Sequence, residues 1–334
     1  MKRSRWLAVL AGFCTISAAA VWFFYAPMPK ASDEPAVSRT VTVDGISRSF
    51  MVYQPPGLRP EAPVLLVFHG SMMDGPNMRH MLGASFERLA RAYGAMVVYP
   101  TGFEGHFNDG RVTAKYSARA LNLDDVGFTR AMVDALVAEH HVDRKRVYAF
   151  GYSNGGHMAM RLAAQAPDLV AGIMVSSANV PTPDNMGWTL APITAATKPK
   201  VVLIEGSKDP INPYQGGRVT IFGFGDRGTV LSAAGSAEWF AKRFELDSRP
   251  SADTQQTIAG FAVQQQDWGI PAHVRLVTLY GAGHTVAQAD YRFWRFLGGT
   301  VLDDGILNSA WHLLDGVKQV QHQGPEKQLP ELPS

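Results

Sequence analysis

Ser153 lies in the run Val147-Tyr148-Ala149-Phe150-Gly151-Tyr152-Ser153-Asn154-Gly155-Gly156, a G-x-S-x-G motif with an apolar strand-like stretch before it and a helical pattern after it. The chemistry this offers is nucleophilic attack by a serine hydroxyl. A serine on a sharp strand-to-helix turn takes a strained backbone, so the residues two before and two after it must be small, and Gly151 and Gly155 meet that need. Such a turn lifts the hydroxyl clear of a sheet and sets it at a helix N-terminus, where the Asn154 amide faces any oxyanion. A glycine-rich turn with a mere capping serine has the same composition. The strand before and the helix after favour the nucleophile.

A serine hydroxyl is a weak nucleophile at neutral pH and needs a base, which in turn needs an orienting acid. Asp209 follows the apolar run 201–205, and His284 follows the run 274–280. Both positions are loops at C-terminal strand ends, where doubly wound sheets collect their chemistry. Glu205, Asp226 and Asp267 compete as the acid. Glu205 falls inside a strand, Asp226 in a glycine-rich excursion, and Asp267 has no strong apolar run before it. His140, His141 and His157 read as helical, and His106 and His322 lie far from strand ends. His69-Gly70-Ser71 follows the run 64–68, and Gly70 lets the backbone turn so that the Ser71 amide can serve as a second oxyanion donor. His69 itself reads as a structural histidine bonded within that loop.

The elements that must hold these residues are read from periodicity. Runs at 39–43 and 46–53 flank Asp44-Gly45, a two-residue hairpin signal. Near-continuous apolar runs at 64–68, 95–99, 147–150, 170–175, 201–205 and 274–280 suit strands buried on both faces of a parallel sheet. Helical patterns lie between them at about 80–92, 123–140, 154–166, 232–244 and 304–317. The expected fold is α/β, a doubly wound and mostly parallel sheet with an N-terminal antiparallel hairpin, in one catalytic domain at 39–318. Residues 30–38 read as a linker and 319–334 as a disordered tail.

Composition narrows the function classes. With 46% hydrophobic and 18% charged residues, the 334-residue chain is no disordered or collagen-like protein. The formal net charge is +2, and the residues after 30 hold 27 basic against 29 acidic side chains, so no nucleic-acid partner is expected. The single cysteine, Cys14, lies in the N-terminal apolar segment, which leaves the folded part without disulfides, thiolate metal sites or a cysteine nucleophile. The histidines are scattered, so neither a metal site nor a cofactor is expected. No obligate protein partner is inferred.

Residues 1–29 begin with Lys2, Arg3 and Arg5 and continue without charge, the pattern of an export signal. Two versions compete, cleavage after Ala18-Ala19-Ala20 and retention of 6–26 as a transmembrane anchor. The aromatic residues among 21–25 tilt the reading toward the anchor, because Trp and Tyr suit a membrane interface. Either way the expected location is outside the cytoplasm: secreted, periplasmic, or membrane-anchored and facing outward.

Several motifs resemble the exported α/β-hydrolase family that contains polyhydroxybutyrate depolymerases, feruloyl esterases and acetylxylan esterases. They are VFHGS at 67–71, YPTG at 99–102, FNDGR at 107–111, DDVGF at 124–128, GYSNGG at 151–156, GSKDPINPYQGG at 206–217 and GAGHT at 281–285, with SAWHLL at 309–314 resembling the family's closing helix. The resemblance implies Ser153 as nucleophile, Asp209 as acid, His284 as base, and the Ser71 and Asn154 amides as oxyanion hole. The chain departs from the family in lacking its cysteines, in having Val286 where a tryptophan often follows the His-Thr pair, and in showing no appended substrate-binding domain. The expected substrates are therefore soluble short-chain esters and hydroxybutyrate-type oligomers rather than solid polymer. Feruloyl or acetyl polysaccharide esters, acyl transfer by the same triad, and a non-catalytic binding protein are the alternatives. Ile221, Phe222 and Phe224 are expected to form an apolar wall beside Ser153, whereas Trp239 and Phe240 are expected to pack a helix onto the sheet.

Overall fold

Strands that are apolar at every position can be buried on both faces, and a sheet of such strands must be covered by helices on both sides. The computed structural model describes residues 32–316 and has this arrangement. In chain order the principal elements are β1 (Val37–Val43), β2 (Ile46–Tyr53), β3 (Val64–Phe68), α1 (Gly75–Tyr93), β4 (Met96–Pro100), α2 (Ser117–Ala120), α3 (Asp125–His140), β5 (Val147–Tyr152) and α4 (Asn154–Gln165). There follow β6 (Gly172–Ser176), β7 (Lys200–Gly206), β8 (Gly217–Arg218), β9 (Thr229–Val230), α5 (Ala233–Arg243), β10 (Ala252–Ile258), β11 (Phe261–Trp268), β12 (Val274–Leu279) and α6 (Gly305–Asp315).

Ten strands form one sheet in the order β1-β2-β4-β3-β5-β6-β7-β12-β11-β10. The centre from β4 to β12 is parallel, and both edges are antiparallel, β1-β2 on one side and β11-β10 on the other. Every residue of β3, β4, β5 and β6 is buried. Alternate side chains feed two cores. Leu66, Phe68, Ala149, Val175 and Leu203 pack with Met132, Leu136, Leu162 and Phe240 from α3, α4 and α5. On the opposite face Leu65, Val67, Phe150, Met174 and Ile204 meet Leu82, Phe86 and Leu89 of α1 and Trp311 of α6. Each buried Val, Leu, Ile, Phe or Met side chain among these contributes roughly 1.5–3 kcal/mol relative to exposure.

Eight of the ten sheet strands, the N-terminal hairpin among them, and the five longer helices agree with the sequence reading. Asp44 and Gly45 both have positive φ (49° and 78°), as a two-residue turn matching the strand twist requires. Helix α1 starts five residues before the expected position, because Asp74 caps it by accepting from the Asn77 amide (2.7 Å) and Pro76 fits its first turn. β1 begins at Val37, within the stretch read as linker. Sequence periodicity does not reveal β10 and β11. β10 is an exposed edge strand rich in Asp, Thr and Gln, so backbone pairing with β11, and not an apolar face, defines it.

The transmembrane reading needs correction. Among the described residues no helix is long and apolar enough to cross a membrane, and the 6–26 segment on which that reading rested lies outside them.

Candidate active site

The β5–α4 turn holds Ser153 at φ 55° and ψ −114°, a backbone conformation that a non-glycine residue adopts only under constraint from its surroundings. The two glycines supply that constraint. A Cβ on Gly151 would fall 2.1 Å from the Gly155 carbonyl oxygen, and one on Gly155 would fall 2.3 Å from the Phe68 carbonyl oxygen. Strand β5, helix α4 and the end of β3 therefore close on one another only with hydrogen at these positions.

The loops after β7 and β12 bring the other two expected residues to this turn. His284 Nε2 lies 3.0 Å from Ser153 Oγ, and His284 Nδ1 lies 2.7 Å from Asp209 Oδ2. The second carboxylate oxygen of Asp209 accepts from the amides of Ile211 and Asn212, both at 2.8 Å, which fixes the plane in which the first meets the imidazole. The histidine is braced as well. Its amide donates to the Leu297 carbonyl (2.7 Å), its own carbonyl accepts from Tyr152 Oη (2.9 Å), and the Tyr152 ring lies 5.2 Å from the imidazole. The competing acids are engaged elsewhere. Asp267 pairs with Arg275 through both oxygens (2.7 and 2.8 Å), and Asp226 pairs with Arg218 (2.8 Å). Glu205 accepts from the Ala178 amide (3.2 Å), and burial together with the Asp209 charge pushes its carboxyl well above the usual range.

His69 is buried and ties the loop after β3, which carries Gly70 and Ser71, to the loop after β4. The Gly102 amide donates to its Nε2 (2.9 Å), so the proton sits on Nδ1, which donates to the Gly70 carbonyl (2.7 Å). Burial lowers its pKa to about 4, which keeps it neutral. Ser71 follows in this loop and shares with Ser153 and His284 a cavity of about 410 Å³. Asn154 opens α4, so its amide has no carbonyl one turn back within the helix.

The Asn154 side chain has a role that sequence reading missed. Its Oδ1 accepts from the Phe107 amide (2.8 Å), and its Nδ2 donates to the Phe107 carbonyl (3.0 Å) and to Asp109 Oδ2 (2.7 Å). Asp109 is also bound by Arg111 through Nε (3.1 Å) and Nη2 (2.7 Å). Burial alone would raise the Asp109 carboxyl, but the Arg111 charge outweighs it and holds the group far below the usual carboxylate range. His157, one turn into α4, donates from Nδ1 to the Ser153 carbonyl (3.0 Å), and burial followed by the Arg111 charge lowers its pKa to about 3. The FNDGR segment at 107–111 thus clamps the start of α4 from behind. Buried charges interrupt the apolar pattern, so periodicity gives no sign of them.

The cavity lining is partly apolar and partly polar. Ile221 and Phe222 belong to the apolar lining with Trp294 and Phe296, where Phe296 stacks on Trp294 (5.5 Å, 16°) and meets Phe222 edge-on (5.6 Å). Phe224 corrects the expected wall. It is 80% exposed and does not line the cavity, because the turn closed by the Ile221–Phe224 bridge directs it outward. Trp239 and Phe240 pack as expected, Phe240 fully buried and Trp239 edge-on to Trp188. The polar lining includes Arg111, His157 and Arg227 together with Ser71, Ser177 and Asn212.

Residues 48–184 match the family model described as Esterase PHB depolymerase. That stretch contains Ser71, Ser153 and Asn154, while Asp209 and His284 lie beyond it. The chain is 29% identical over 274 residues to the "Putative esterase NocK" of Nocardia uniformis subsp. tsuyamanensis, with 76% of this chain and 75% of that protein covered. It is 25% identical over 238 residues to feruloyl esterase B of Piromyces equi, covering 71% of this chain and 42% of that enzyme, so it spans under half of the latter's length. An acetyl xylan esterase from Aspergillus awamori superposes with a TM-score of 0.57 over 82% of this chain and 98% of that one, and at 18% identity this likeness speaks to the fold. With the sheet, the elbow and these matches together, the chain carries an α/β-hydrolase esterase domain that matches the family model and relatives of the polyhydroxybutyrate depolymerase and feruloyl esterase type, which supports a general carboxylic-ester hydrolase activity.

Proposed function

We propose that the protein is a serine esterase that hydrolyses soluble short-chain esters or hydroxybutyrate-type oligomers through an acyl-enzyme on Ser153. The observation that supports this reading most is the hydrogen-bonded series from Ser153 Oγ through His284 to Asp209 at 3.0 and 2.7 Å. In the first half-reaction Ser153 Oγ attacks the ester carbonyl carbon while His284 Nε2 takes its proton. The amides of Ser71 and Asn154 donate to the oxyanion, and Asp209 holds the imidazole in the Nδ1–H tautomer and stabilises its positive form. Collapse of the tetrahedral intermediate breaks the bond to the alcohol oxygen, which receives the Nε2 proton. In the second half, water attacks the acyl-serine with His284 as base, which releases the acid and returns the proton to Ser153. His69 and His157 remain neutral and outside this proton path.

The cavity volume of about 410 Å³ suits a small ester, near the lower end of small-molecule sites. Feruloyl or acetyl polysaccharide esters remain a second reading, favoured by the aromatic group of Phe222, Trp294 and Phe296 on the cavity wall. Action outside the cytoplasm rests on the basic and apolar N-terminal sequence alone. Initial rates on p-nitrophenyl acetate, butyrate and palmitate, a hydroxybutyrate trimer and methyl ferulate test the substrate reading. Acetate, butyrate and trimer should lead in kcat/KM, and a tenfold lead for palmitate or ferulate would overturn it. Ser153→Ala should lose on the order of 10⁴–10⁶ in turnover with its fold intact, and retention of a tenth of the activity would end the assignment.

A further inference from the structure

Two guanidinium groups line the cavity that contains Ser153, and they differ in one respect. Arg111 is neutralised by Asp109 through two hydrogen bonds. Arg227 pairs with no carboxylate among the described residues; its side chain donates from Nη1 to the Gly225 carbonyl (2.8 Å). Its chain neighbour Asp226 is taken by Arg218. The nearby imidazoles do not change the balance, since burial holds His157 neutral and also lowers the pKa of His106. Arg227 thus places an uncompensated positive charge on the wall of a mainly apolar cavity. A half-buried charge there is unfavourable unless a partner anion arrives.

The backbone of Arg227 is also pinned. Its amide donates to the Val219 carbonyl (3.0 Å), and its carbonyl accepts from Nδ2 of the buried Asn185 (2.9 Å), which bonds the Thr229 carbonyl as well (3.1 Å). The cation is therefore presented from a fixed point of the excursion between β8 and β9, unlike a side chain on a free loop tip. Guanidinium is the group suited to bidentate carboxylate recognition.

We propose that Arg227 is a specificity-determining residue that recognises a free carboxylate on the substrate, so that the preferred esters are monoanions such as a hydroxyalkanoate dimer in its free-acid form. This rests on the ester-hydrolase reading of the Ser153 site. The carboxylate would pair with the Arg227 guanidinium while the ester carbonyl sits at Ser153 Oγ, and no new bond-making step is involved.

The test compares kcat/KM within two substrate pairs that differ in one charge. One pair is the hydroxybutyrate dimer acid and its methyl ester, followed by cleavage of the internal ester. The other is p-nitrophenyl hydrogen glutarate and p-nitrophenyl methyl glutarate, corrected for spontaneous hydrolysis. The wild type should prefer the anion in at least one pair by about ten- to a hundredfold, the range of a charge-assisted hydrogen bond. Rising ionic strength should shrink that preference. In R227Q the ratio should fall to near one, and R227K should keep its direction at reduced size. The proposal is overturned if the wild type hydrolyses p-nitrophenyl butyrate yet shows no charge preference in either pair, or if R227Q and R227K both keep the full wild-type ratio. Loss of all ester turnover in the wild type would instead overturn the esterase reading, and this inference with it.

Discussion

The wall behind Ser153 and the rim in front of it are built on opposite plans. Behind the elbow, Asn108, Asp109, Arg111, Asn154 and His157 are all buried and bonded to one another or to the backbone. In front, Phe222 and Trp294 are about half exposed, at 48% and 46%, and their rings are held by contact with Phe296. A reacting group must be held within a fraction of an ångström, whereas a wall that sorts substrates needs only shape and charge. The difference separates substitutions that should stop the chemistry or unfold the protein from those that should only change what enters.

The largest expected effect at the acid separates two carboxylates. Asp209→Asn should leave under about a hundredth of kcat, because the amide favours the wrong imidazole tautomer. Asp267→Asn, at the β11 carboxylate that pairs with Arg275, should keep nearly full activity. Steady-state kinetics on p-nitrophenyl butyrate decide this, and the reverse pattern would move the acid to the other strand.

A substitution behind the elbow should act next through stability. Asp109→Asn leaves the fully buried Arg111 without its counter-charge, and removing one partner of a buried pair typically costs about 3–5 kcal/mol. Urea denaturation should show a loss of that order. A change under about 1 kcal/mol would mean that the FNDGR segment does not clamp α4.

Acid should weaken the same region. Folded His69 and His157 have pKa values lowered to about 4 and about 3, chiefly by burial, while an unfolded histidine titrates near about 6.5. The unfolded chain therefore takes up protons first as the pH falls. The stability these two residues confer is complete above about 6.5 and is lost progressively as the pH drops toward the folded values. The urea midpoint should fall between pH 6.5 and 4, and the fall should be shallower in His69→Gln; an equal slope in the two proteins would contradict a buried neutral His69.

The rim should respond least. Trp294→Ala should raise KM for butyrate a fewfold, on the order of threefold, with kcat little changed, because it removes apolar wall common to ground and transition states. Phe224→Ala should be silent, since that ring points into solvent. A larger effect at Phe224 than at Trp294 would invert the assignment of the wall.

The two regions also differed in how far the sequence reveals them. The elbow is local: its glycines, strand and helix are contiguous, so Ser153 and Asn154 follow from ten residues. The inner strands are legible because burial on both faces leaves continuous apolar runs. Asp209 and His284 are legible through the strands they follow. The clamp escapes notice because Asp109 and Arg111 are charged residues inside the core, and only their partners explain them. Trp294 and Phe296 escape because the segment after His284 returns to the cavity through tertiary contacts such as the His284 amide to the Leu297 carbonyl. The edge hairpin β10–β11 escapes because its residues are polar and its order comes from backbone pairing.

The central claim is that the geometry around Ser153 makes one hydroxyl chemically unlike every other serine in the chain. Labelling with a fluorophosphonate, read by intact mass and peptide mapping, measures this directly. One adduct per chain is expected, located on Ser153, with labelling abolished in Ser153→Ala and slowed by orders of magnitude in His284→Ala. Absence of an adduct on the folded wild-type protein, or an adduct on a different serine, would contradict it.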